Sequence, residues 1–177
     1  MEVFFSIVTV VSALGAGLMA GIFLIFSICV MAALNRLSPA TGVAAMNAIN
    51  ATILGPVFAV LFTGTGITSA VLVVGSILRW HEPGALLLLA GGVLYLVGSV
   101  AVTIAFNAPR NDALASIDPQ DTTAAAQWAT YVSEWTAWNH VRTVLTIASA
   151  HGSRPSIRRR RPPDPSMRTG EVIAGAH

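Results

Sequence analysis

The stretch WTAWNHVR gathers residue types that can do chemistry: Trp135, Trp138, Asn139, His140 and Arg142. A guanidinium with amide donors beside it can hold an anion, and an imidazole of unperturbed pKa about 6.5 can move a proton near neutrality. Further amides recur upstream. Asn107 and Asn111 flank Pro109, and Asn47 and Asn50 stand three residues apart, on one face of any helix that carries them. Trp128, Tyr131, Trp135 and Trp138 have helical spacing and form one aromatic stripe, whose plain reading is an interfacial belt or packing seam. Arg142 sits where the chain turns apolar, and an ionisable residue at membrane depth is costly unless it faces a bundle interior or a polar cavity. Its simpler alternative is snorkelling to the headgroups.

The elements that must position these residues are membrane helices. Hydrophobic residues make up 54% of the chain and charged residues 10%, and mean hydropathy is +0.70, too little charge to solvate a globule of this size. Uncharged runs from Val3 to Asn35, Leu37 to Leu78 and Pro83 to Ala108 each exceed the roughly 20 residues a crossing helix needs. The first follows Glu2 with no basic leader, which favours a retained helix over a cleaved signal. The second is too long for one span. Ser38 before Pro39 predicts a short interfacial helix ending near Asn50, then a span from Pro56 to Leu78 in which Gly64, Gly66 and Gly75 permit close contact. Pro83 is expected to open the third span, Asn-x-Pro-x-Asn to form a turn at its end, and Asp121, Thr122 or Thr123 to cap a last helix. The fold class expected is therefore all-α, a polytopic transmembrane bundle on a four-helix plan.

The fourth span is expected to be cut short. Only Thr143 to Ala150 is apolar before residues 151–177, where six arginines and four prolines stand against Asp164 and Glu171. Two domains follow: a helical bundle over 1–150 and a basic, disordered Pro/Arg-rich tail over 151–177. The tail reads as adventitious sequence from a frame shift or, alternatively, as a polybasic segment binding anionic lipid.

FSICVMAAL, AAMNAIN, NAPRNDAL and WTAWNHVRT together resemble the successive motifs of the anthrone oxygenase-like membrane proteins, a family largely catalogued as a domain of unknown function, over about residues 4 to 149. The Asn-x-Pro-x-Asn element followed by Trp-x-x-Trp-Asn-x-x-Arg carries most of the specificity. The resemblance implies a four-helix membrane bundle and, from fungal members, oxidation of an anthrone to an anthraquinone in polyketide biosynthesis. By matching motifs it carries a role to Asn107, Asn111, Trp138, Asn139 and Arg142, and less directly to Asn50.

The residues are compatible with that chemistry. No Cys/His cluster, dinucleotide fingerprint or P-loop is present in the sequence, and the expectation is a cofactor-free and metal-free reaction. An anthrone loses a methylene proton to give an electron-rich anion that reacts directly with molecular oxygen, so the protein needs a base and an anion site. His140 is the expected base, with Asp112 and Glu134 as substitutes. Arg142, Asn139 and Asn107 are the expected oxyanion donors, and the stripe with Trp135 a flat wall for a small aromatic substrate. The competing reading is a non-enzymatic structural or small-molecule-binding membrane protein. Membrane lipid is an expected partner and nucleic acid is not, and a multi-pass protein of the cell membrane is the expected localisation.

Overall fold

The computed structural model of the protein describes residues 2–53, 55–118 and 121–152, all outside strands. Five helices account for nearly all of them: α1 (Glu2–Leu34), α2 (Pro39–Ile53), α3 (Pro56–Leu78), α4 (Ala85–Ala115) and α5 (Ala124–Gly152). α1, α3 and α4 are long and apolar enough to cross a membrane. Side chains such as Val3, Val57, Val60 and Leu78 project from them unburied, as lipid-facing residues do.

Neighbouring helices run antiparallel. Thr65 packs on Gly15 and Phe5 on Gly75, so α3 descends beside the ascending α1. α5 follows α4 along its whole described length: Glu134 pairs with Arg110, Trp135 O accepts from Asn107, Arg142 reaches Thr103, Leu145 packs on Gly98 and Ser149 Oγ donates to Gly91 O. Gly98 is required by that contact, because a Cβ there would meet the Leu145 side chain at less than van der Waals separation. The result is an up-down-up-down four-helix bundle.

α2 closes one end. Ser38 Oγ accepts the Thr41 N–H at 3.4 Å, the N-cap expected before Pro39, and the helix runs three residues beyond Asn50. It lies across the start of α5, where a Cβ on Gly42 would stand 2.6 Å from the Trp128 ring. Met31, Leu34, Val43, Met46, Leu114, Trp128, Tyr131 and Trp135 form the core beneath it. Burying each such side chain contributes roughly 1.5–3 kcal/mol where the alternative is water.

Four expectations need correction. α4 begins at Ala85 rather than Pro83 and does not turn at Asn-x-Pro-x-Asn; it continues through Pro109 to Ala115. A π-helical turn over Thr103–Asn107 immediately precedes the proline and shifts the hydrogen-bond register where Pro109 has no N–H to give. Of the three α3 glycines, only Gly75 makes a close approach; Gly64 has nothing near it and Gly66 an ordinary contact. Finally, α5 is not a stub. It recruits the segment upstream of Trp138 and continues through His151 and Gly152. It does fall outside the three helices apolar enough to cross a membrane, as its polar residues dictate. The tail from Ser153 onward lies outside the described residues.

Candidate functional site

One face of α5 carries Trp128, Trp135, Asn139, Arg142, Thr146 and Ser149, all buried. The helix turns about 100° per residue, so Asn139 and Arg142, three apart, point the same way. Opposite them, α1 contains a π-helical turn at Phe26–Val30 and α4 two, at Leu96–Ala101 and Thr103–Asn107, local widenings that often mark functional positions.

Arg142 is only 6% exposed, and its partners are neutral. Nη2 donates to Asn139 Oδ1 at 2.6 Å and Nη1 to Thr103 Oγ1 at 3.1 Å, while the guanidinium carbon stands 4.4 Å from the Phe23 ring centroid and 5.1 Å from that of Trp135. Nε has no partner. Asn139 in turn donates from Nδ2 to Phe23 O and Ser27 Oγ, both at 2.8 Å, which fixes its Oδ1 toward the arginine. Thr143 Oγ1 lies 3.1 Å from Ser27 Oγ. Asn107 Nδ2 donates to Trp135 O at 3.2 Å, and its Oδ1 has no partner, as is true of the Trp135 indole N–H. The cluster thus holds a buried cation and further polar groups with unused hydrogen-bonding capacity. Aromatic faces and neutral dipoles offset part of the desolvation of the guanidinium and leave its charge uncancelled.

A second set of expected residues lies beside this cluster. Asn47 and Asn50 of α2 face Asn111 and Asp112 of α4 across an open cleft of about 570 Å³. Tyr131 links the two places: its hydroxyl donates to Asn111 Oδ1 at 2.9 Å and its ring lies 6.3 Å from that of Trp135. Asn111, Tyr131, Trp135 and Arg142 therefore form a continuous chain from cleft to buried cation.

Two expected residues are placed elsewhere. His140 is exposed, since one residue beyond Asn139 and two before Arg142 the helix points away from both, so it is not gathered with the cluster. Trp138 is half-buried and stacks on Phe106, with ring centroids 3.5 Å apart, while Phe23 and Trp135 are the rings on the guanidinium. Of the substitute bases, Glu134 is held by Arg110 at 2.8 Å and Asp112 borders the cleft. Sequence reasoning missed Phe23, Ser27 and Thr103, which supply the α1 and α4 sides of the Arg142 cluster. Ser27, a hydroxyl within an apolar run, was the available signal.

No curated protein and no solved structure matches the chain. The model of one family, described as Anthrone oxygenase, matches residues 52–152. That span contains all of α3, α4 and α5, and with them every expected site residue except the α2 amides Asn47 and Asn50. On a match covering more than half its length, the chain belongs to the anthrone oxygenase family.

Proposed function

We propose that this protein is a cofactor-independent oxygenase of the cell membrane that converts an anthrone-like polyketide to the corresponding quinone. The carrying observation is the buried Arg142 guanidinium with only neutral partners, a positive site with room in its charge balance for an anion. A tricyclic substrate enters by the amide-lined cleft and displaces the packing around the buried Tyr131 and Trp135 rings to stack along them. Its oxygen, which takes up negative charge on deprotonation, is met by the field of Arg142 and by the unpartnered Nε and indole N–H. Asp112, at the cleft, replaces His140 as the base.

The atoms balance without another reductant. The base removes one methylene proton, the carbanion-phenolate adds to dioxygen, and the resulting hydroperoxide loses water as the carbonyl forms. One molecule of anthrone and one of oxygen give one quinone and one water.

Membranes containing the protein, incubated with anthrone and with hydroxylated anthrones, should take up oxygen and form quinone faster than control membranes, whose rate measures autoxidation. An unchanged rate for every anthrone tried would overturn the reading. If the wild type is active and Arg142→Gln and Asp112→Asn are equally so, the assignment of their roles fails while the oxygenase remains.

A further inference from the structure

At the opposite end of the bundle from Arg142, two cavities meet at the same pair of residues. One is a small polar notch of about 150 Å³, lined by Phe5, Ser6, Thr9, Ser76, Arg79 and Glu82 among others. The other is an apolar groove of about 580 Å³ between α1 and α3, lined by Phe4, Ile67, Ala70, Val74 and Leu78. Phe5 and Arg79 belong to both. From Ile67 to Leu78 the helix rises about 16 Å, close to half the roughly 30 Å of hydrocarbon in a bilayer.

The notch is built for a group carrying both charges. The Arg79 guanidinium lies over the Phe5 ring, 5.0 Å from its centroid, and the Glu82 N–H donates to Arg79 O at 2.8 Å, a turn that sets both side chains at one rim. The two charges make no ion pair with each other. Ser76, 1% exposed, has a hydroxyl with no partner. Trp80 follows, exposed at the end of α3 as a headgroup-level aromatic would be.

We propose that this seam is a binding site for a phospholipid with a phosphoethanolamine headgroup. An acyl chain lies in the groove, the phosphate sits on Arg79 and the Ser76 hydroxyl, and the ammonium donates to Glu82. Phosphatidylcholine has no N–H to donate there, and phosphatidylglycerol brings the same phosphate charge with no ammonium to offset Glu82.

Delipidated protein in detergent, titrated with phosphatidylethanolamine, phosphatidylcholine and phosphatidylglycerol of identical chains and read by native mass spectrometry, should retain the first at several-fold higher occupancy. Arg79→Gln should reduce retention of all three. Ala70→Trp should do the same by filling the groove, and exposed Glu82→Gln should erase the preference for ethanolamine. Anthrone oxidation in the Glu82 variant should be unchanged. Equal retention of the three lipids by the wild type, or a preference that survives Glu82→Gln, would overturn the proposal and leave only the general lipid coat of a membrane protein. Competition by free glycerophosphoethanolamine equal to that of the intact lipid would overturn the role of the groove.

Discussion

Arg142 is the residue on which most depends. Its Nη2 bond to Asn139 and its two aromatic faces hold it in one pose, so length and shape matter as well as charge. Arg142→Lys keeps the charge but not the fork, and should fall with Arg142→Gln in quinone formation by on the order of a hundredfold, with helix content unchanged by circular dichroism. Asn139→Ala strips partners from Arg142 and Ser27 inside the bundle; a loss of about 1–3 kcal/mol should appear as a lower thermal midpoint in detergent. His140→Gln should leave the rate within twofold, because the ring is exposed on another face; a collapse of activity would return the histidine to the mechanism. At this scale the sequence was legible by residue type and misleading by direction. Asn139 and Arg142 were found because amides and arginine are rare in apolar helices, whereas His140 was chosen for its pKa although the helical phase that unites 135, 139 and 142 excludes 140. Ser27 and Thr103 were passed over because one hydroxyl in a membrane helix is common, and only the fold shows that these two face the same guanidinium.

Among the elements, the two that close the cleft end of the bundle are α2 and the start of α5. Gly42→Leu would drive a side chain into Trp128 and lift α2 from its seat, with an expected loss of roughly 1–3 kcal/mol and a widened amide cleft, readable as faster labelling of a cysteine at position 50. α5 begins under Asp121, whose carboxylate accepts the Thr123 N–H at 2.7 Å and its hydroxyl at 2.8 Å. Those bonds hold its pKa below the ordinary 3.8. The sign follows: the stabilisation is full above the ordinary value and is lost as pH falls through the lower, folded one. The thermal midpoint of Asp121→Asn should therefore depend less on acid below about pH 4 than that of the wild type. Boundaries set by local chemistry were readable, as at Ser38-Pro39 and Pro56. The passage of α4 through Pro109 was not, because proline normally breaks a helix and the preceding π-helical turn that accommodates it has no sequence signature.

For the whole molecule, Arg79 together with the six arginines after 151 outnumbers Arg36 and Arg110 at the other end, and the expected topology puts the Arg79 end on the cytoplasmic side. In a Cys29→Ser background, a cysteine at position 118 should react with an impermeant maleimide in intact cells, and one at position 81 only after permeabilisation; the reverse pattern would invert the topology. Three crossings were visible in composition alone. The fourth helix was legible from its cap and aromatic spacing but not in its full length, because Glu134, His140 and Arg142 dilute its apolar signal and its pairing with α4 is a property of the fold.

That pairing constrains how the protein is made. An arginine at the centre of a helix adds about 2.5–3.5 kcal/mol to the work of leaving the translocon, and α5 has no surplus of apolar residues to set against it. Its contacts with α4, from Glu134 on Arg110 to Gly152 beside Gly91, exist only once α4 is in place. The expected consequence is an ordered biogenesis: α4, made first, is held at the channel until α5 has emerged, and the two enter the bilayer together as a helical hairpin with Arg142 against Thr103 rather than lipid.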